Sequence, residues 1–188
     1  MEKNPEKRPV MLLFTGQAGA GKDTAASAMK EVLEERGHKV LITHYADLLK
    51  YICRAFLGWN GVKDEAGRAM LQYVGTEVFR ERDPDIWVRF TADVVEAFPG
   101  EWDFVLIPDC RFPNEFTYMK ERGFNPVLVE IRRPDLKSAL TPEQKKHASE
   151  TAMKGVIPHH TVINYESEED NGERGLKGAA EAIVKELL

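Results

Sequence analysis

The stretch Leu12-Leu-Phe-Thr-Gly16-Gln-Ala-Gly-Ala-Gly-Lys22-Asp-Thr24 decides the fold. The apolar run at 10–14 reads as a strand; it enters a glycine-rich turn, and the turn enters a helix starting near Lys22. Gly16, Gly19 and Gly21 open backbone angles closed to other residues, so successive N–H groups turn inward on one point. The helix adds the positive end of its dipole, and the two together make an anion cradle. Lys22 is placed to reach the outer phosphates of a nucleoside triphosphate. Gly-x-x-x-x-Gly-Lys between a strand and a helix is the phosphate-binding loop spacing. One position departs from it. Asp23 stands where Ser or Thr ordinarily holds Mg²⁺, and the hydroxyl follows at Thr24. The competing reading is a glycine-rich αβ turn carrying a surface lysine.

The chain has 188 residues, 43% of them hydrophobic, enough for one core without staples. Charged residues make up 30% and the formal net charge is -5, which argues against a wide nucleic-acid-binding face. Any bound anion must therefore meet a local basic site. Cys53 and Cys110 lack metal spacing; they suit a reducing cytoplasm and argue against a disulfide. The longest apolar runs are about five residues, far below the ~20 that span a membrane. Residues 1–9 are polar and charged, unlike a signal peptide, and are expected to form a loose tail.

Beyond the loop, residues 23–36 carry Ala26, Met29, Val32 and Leu33 on one helical face, and Gly37 ends the helix. Strands are expected at 39–45, 104–107, 127–131 and 161–164. Helices are expected at 46–57, 64–81, 86–97, 114–122 and 175–187. Alternating strands and helices predict an α/β fold, a three-layer α/β/α arrangement around a five-stranded parallel sheet. Right-handed crossovers put the strand carboxyl ends, where ligands bind, on one edge. Residues 10–188 read as one domain.

The anomaly is 46–98, about fifty mostly helical residues between two strands, more than one crossover needs. An insertion there, above the phosphate loop, is where a second substrate would be held. Arg68, Gln72, Thr76 and Arg80 recur every four residues, drifting slowly around one helical face, with Glu77, Arg82 and Trp87 nearby. Such charges also describe an ordinary solvated face. A second landmark is Asp109-Cys-Arg111-Phe-Pro-Asn114-Glu115, which follows the apolar strand at 104–107. Its aspartate falls at the sheet's carboxyl edge, where phosphate-loop enzymes orient Mg²⁺ or its waters. Arg111 offers a planar fork for phosphate or carboxylate. The alternative is a helix-capping loop in which Asn114 or Asp109 satisfies free N–H groups. The third landmark is Arg132-Arg133-Pro134 followed by a polar segment with Lys145, Lys146, His147, Ser149 and Glu150. It reads as a mobile lid bringing cations onto a transferring phosphoryl group, or as a basic surface loop.

Together these stretches resemble the deoxynucleoside monophosphate kinase family, best known from bacteriophages. The resemblance runs through GQAGAGKDT (16–24), YADLLK (45–50), RAMLQYVGTEVFR (68–80), DPDIWV (83–88), DCRFPNE (109–115), IRRP (131–134), HASE (147–150) and VIN (162–164). It accounts for Asp23, since the family carries Asp-Thr after the lysine; Leu48, where proline is expected, is a small departure. The resemblance implies a core sheet, a monophosphate-binding insertion (46–98) and a lid (132–155). It implies ATP and Mg²⁺ as cofactors, and γ-phosphoryl transfer to the 5′-phosphate of a (deoxy)nucleoside monophosphate. Gly16, Ala18, Gly19, Ala20, Gly21, Lys22, Asp23 and Thr24 would hold the ATP phosphates. Thr24, with Asp23 or Asp109, would hold Mg²⁺. Arg111, Arg80 and Arg68 would clamp the acceptor phosphate, with Asn114 and Glu115 beside them. Gln72 and Thr76 would face the acceptor, and Trp87 would wall its base or pack in the core. Arg132 and Arg133 would close over the transition state, and His147 and Glu150 would organise the lid. Partners are expected to be small-molecule nucleotides, with no nucleic acid and no membrane; a homodimer is possible. Kinases of other phosphorylated small molecules, such as dephospho-coenzyme A or phosphomevalonate, share this logic, and a non-catalytic phosphate-loop NTPase is the remaining class.

Overall fold

The computed structural model describes residues 8–165 and 175–188, so most of the expected tail lies outside the described residues. Five parallel strands form one sheet: β1 (Val10–Thr15), β2 (Val40–Ile42), β3 (Phe104–Ile107), β4 (Asn125–Arg132) and β5 (His160–Ile163), in the order β2-β3-β1-β4-β5. β1 lies in the middle because it is covered on both faces, and its side chains divide by parity. Leu12 and Phe14 pack against helix α1 (Lys22–Glu35) and the C-terminal helix α8 (Leu176–Leu187), through Ala26, Met29, Leu33, Ile183 and Val184. Met11 and Leu13 face the opposite layer, with α2 (Ala46–Leu57), α4 (Ile86–Ala97) and α5 (Pro113–Glu121). A strand buried on both sides reads as a continuous apolar run rather than an alternating one. The fold is therefore the three-layer α/β/α sheet expected.

The differences lie at element ends. β2 stops at Ile42 rather than continuing to Tyr45, because Tyr45 is drawn into the start of α2: the Asp109 carboxylate accepts from Tyr45 N at 2.9 Å and Ala46 N at 3.0 Å. β4 begins at Asn125 and includes Pro126; a proline fits there, at the beginning of a strand. α5 starts one residue early, at Pro113, since a first-turn proline loses no helical hydrogen bond.

The expected helix at 64–81 is two structures in series. α3 (Glu65–Gln72) is capped by Asp64, which accepts from Gly67 N at 2.8 Å, and it runs into a π-helical stretch, Tyr73–Arg80. In an α-helix, residues four apart drift by ~40° per step. Hydrogen bonds from i to i+5 widen the turn and offset that drift. Arg68, Gln72, Thr76 and Arg80 accordingly all face one cleft. The polar segment after β4 also has structure, α6 (Pro142–Lys146) and α7 (Ala148–Thr151). Thr141 and Gln144 form a reciprocal capping box there, with Gln144 N donating to Thr141 Oγ1 at 3.2 Å and Thr141 N to Gln144 Oε1 at 3.1 Å.

Candidate active site

A cleft of about 300 Å³ opens where β1 and β3 end, bounded by the glycine-rich loop and by residues from the stretches 46–98 and 132–155. The loop forms its floor. Gly16 has φ 135°, and a Cβ there would overlap the Ile131 carbonyl oxygen, so only glycine lets the loop pass this close to β4. Gly21, with φ 95°, opens α1, and a Cβ on it would strike Asn164, whose Nδ2 donates to Ala20 O at 2.8 Å. Among the described residues no side chain caps α1, which leaves its first amides facing the cleft for an anion. Lys22 is buried and bends back, its Nζ donating to Gly16 O and Gln17 O at 2.8 Å each. Burial first, and Arg111 next, lower its pKa from 10.5 to about 8. An anion in the cradle would replace those carbonyls as its partner. Ala18, Gly19 and Asp23 also line the cleft, whereas Thr24 is exposed and does not.

Asp23 is tied to a residue that the motifs do not single out. Its Oδ1 meets His44 Nε2 at 2.8 Å, and His44 Nδ1 lies 3.4 Å from Asp47 Oδ2. Hydrogen bonds to Asp23 and then Asp47 raise the His44 pKa to about 9, and the same contact lowers that of Asp23. His44 follows the carboxyl end of β2, the sheet edge where ligands bind, and that position is the signal that finds it. Asp109 also lies on the cleft wall, but both its oxygens receive the amides of Tyr45 and Ala46. The capping alternative is thus realised, although the helix capped is α2.

Arg80 is not free to clamp anything. Its Nη2 pairs with Glu115 Oε1, its Nη1 donates to Pro84 O at 3.1 Å, and its guanidinium lies 4.1 Å above the Phe112 ring. Glu115 is 1% exposed and also accepts from Arg111 N at 2.6 Å and Phe112 N at 3.0 Å. Burial pushes the Glu115 carboxyl up, and Arg80 pulls against it. The pair holds the turn that presents Arg111. Asn114 lies outside the cleft, where its Nδ2 donates to Pro84 O at 3.0 Å and Asp85 Oδ1 at 2.8 Å. Trp87 is 2% exposed, touches Phe79 and donates to Gly75 O at 3.1 Å. It is a core residue with an edge on the cleft. The Gln72 amide and Thr76 hydroxyl border the cleft without hydrogen bonds among the described residues.

The segment expected as a lid, 132–155, touches both residues 46–98 and the turn after β3. Gln144 Nε2 donates to Glu65 O at 3.4 Å, His147 Nε2 meets Glu77 Oε1 at 3.0 Å, and Glu150 pairs with Arg111. Arg111 also donates to Ser149 O at 3.1 Å. Arg132 and Arg133 border no part of the cleft; Arg132 is largely exposed and pairs with Glu130 at 2.7 Å. Besides His44, the structure brings in Lys63, which the motifs also leave aside, and Lys50, which ends the YADLLK stretch without being singled out there. Cys53 and Cys110 are buried free thiols.

Residues 1–78 match the family model described as Zeta toxin. No curated protein matches the chain. Among solved structures the chain is similar to the Mycobacterium tuberculosis APS kinase CysC. A cysteine-to-alanine mutant is 16% identical with a TM-score of 0.53, over 96% of this chain and 97% of that one. The complex with AMPPNP and APS is 16% identical with a TM-score of 0.54, over 96% and 98%. The protein thus shares the fold of that APS kinase. Among the described residues no helix is long and apolar enough to cross a membrane.

Proposed function

We propose that the protein transfers the γ-phosphoryl group of ATP to the 5′-phosphate of a (deoxy)nucleoside monophosphate. The observation that carries this is one cleft with two unlike halves: an uncapped helix start with a buried lysine, and facing it a polar wall of Gln72 and Thr76 edged by Trp87 and flanked by cations. The first half suits a polyphosphate; the second suits a flat, hydrogen-bonding base with an anionic tail. The deoxynucleoside monophosphate kinase motifs support the same acceptor.

The attacking oxygen of such an acceptor is already ionised, so no strong general base is needed. Catalysis is alignment and charge neutralisation. Lys22 and the first amides of α1 hold the donor phosphates. Arg111 reaches the acceptor side once Glu150 yields it, and the lid excludes water. Among the described residues no three acidic or imidazole groups cluster as a metal site. Mg²⁺ in such enzymes needs fewer, because one or two carboxylates, waters and the substrate phosphates complete its shell. Asp23 and Asp109 are the cleft carboxylates that would hold the ion, directly or through water, and the ion would supply neutralisation of phosphate charge. Thr24 does not reach the cleft.

ADP release from Mg-ATP, measured against a panel of deoxy- and ribonucleoside monophosphates, tests the proposal. Acceptor-dependent turnover with at least one of them is expected. Silence across the panel from folded protein would transfer the reading to a kinase of another anionic small molecule.

A further inference from the structure

The cations facing the cleft are not equivalent. Arg80 is paired with Glu115, Arg111 with Glu150, Lys50 with Asp47 at 2.8 Å, and Lys22 lies on two carbonyls. Lys63 and Arg68 differ: among the described residues neither side chain makes a hydrogen bond or an ion pair, yet both line the cleft. Lys63 faces Lys50, Arg68 and Arg111 as well as Asp23, and its pKa is lowered, by partial burial first and the Lys50 charge next. Asp23 is the one acid among them and already pairs with His44, so like charges outnumber their counter-charge, which is unfavourable. A tetrahedral oxyanion between them would reverse that term.

The loop presenting Lys63 is fastened on both sides of it. Val62 O accepts from Trp59 Nε1 at 3.0 Å, Val62 N donates to Asn60 Oδ1 at 2.8 Å, and Asp64 caps α3. Arg54 lies over the Trp59 ring, 5.5 Å from its centroid. Gly67 lets α3 approach this loop, since a Cβ there would overlap Val62 O. Lys63 is exposed, but the loop that carries it is fixed at both ends. The fastening sets the reach of Lys63, while among the described residues its ammonium end makes no hydrogen bond or ion pair.

We propose that Lys63, acting with Arg68, receives the phosphate of the acceptor and is a binding residue of the reaction. This rests on the kinase reading of the cleft. It replaces Arg80, whose guanidinium is committed to Glu115, as a member of the expected clamp. Arg111 joins when the incoming anion displaces Glu150.

Calorimetry of the full chain, saturated with AMPPNP and Mg²⁺ and titrated with dAMP, dGMP, dCMP or dTMP, tests the assignment. Lys63→Gln is expected to weaken mononucleotide binding about tenfold or more. Lys63→Arg should restore much of it, and AMPPNP binding should stay at the wild-type value. Wild-type mononucleotide affinity in Lys63→Gln would overturn the proposal. If the wild-type chain binds none of the four, the mononucleotide reading fails by itself, and inorganic phosphate becomes the probe. Lysines carrying ¹³C-methyl groups keep their charge. A saturable Lys63 signal shift with phosphate, lost in Arg68→Gln, would then uphold the anion site, and its absence would overturn it.

Discussion

The two halves of the cleft are built from different material. The half proposed for the donor is mostly backbone, with one side chain, Lys22: amides at the start of α1, carbonyls of Gly16 and Gln17, and glycines that bring the loop against β4. The half proposed for the acceptor is side chains from distant segments, Lys63, Arg68, Gln72 and Thr76 from residues 46–98 and Arg111 from the turn after β3. A backbone cradle is specified by a few contiguous residues. A side-chain wall is specified by whatever holds each chain in place, and here that is a buried pair, Arg80 with Glu115, 35 residues apart. The donor half should therefore fail at single positions. The acceptor half should fail through its supports.

The largest effect is expected from the donor side. Lys22→Ala should lower kcat/KM by about a thousandfold in the ADP-release assay, with the thermal midpoint little changed. Parental turnover would erase the distinction between the halves. On the acceptor side the support matters most. Glu115→Ala strands the buried Arg80 guanidinium and the amides of Arg111 and Phe112, and should cost about 3 kcal/mol in urea unfolding. A loss below about 0.5 kcal/mol, the size of an ordinary surface change, would show that the pair is dispensable.

Smaller effects probe the lid and the loop's neighbour. His147→Ala removes the contact with Glu77 and should speed proteolysis within 132–155 roughly fivefold, leaving global stability nearly constant. Unchanged proteolysis would mean that the lid is held by its other contacts. His44 supplies a pH test. Its pKa is raised from 6.5 to about 9 by Asp23 and Asp47, so the folded state binds the extra proton. That contribution is complete below about 6.5 and is lost as pH rises through about 9. Stability measured with chelator present should decline across that window in the parent, and His44→Gln should flatten the decline.

The loop, the five strands and the helical insertion were legible because each depends on neighbours in the chain. Apolar runs of four or five residues mark strands buried on both faces, as in β1 and β3. Thr141-Pro-Glu-Gln144 carried the readable signature of a capping box, yet the segment after β4 reads as a lid without elements. His44 and Lys63 were not legible, because neither sits in a motif and both acquire meaning from partners far away in sequence. Asp109 is the intermediate case. Its place at the end of β3 was readable, but its two bonds to the start of α2 were not.

By itself the sequence determined a phosphate cradle at the edge of a parallel sheet, because glycine angles, a helix start and a lysine are local properties. Only the tertiary structure decided which of the cleft's cations are paired with an acid and which are not. Pairing is settled by which acidic side chain the fold brings within reach: Arg80 meets Glu115 and Arg111 meets Glu150, while Lys63 and Arg68 meet neither.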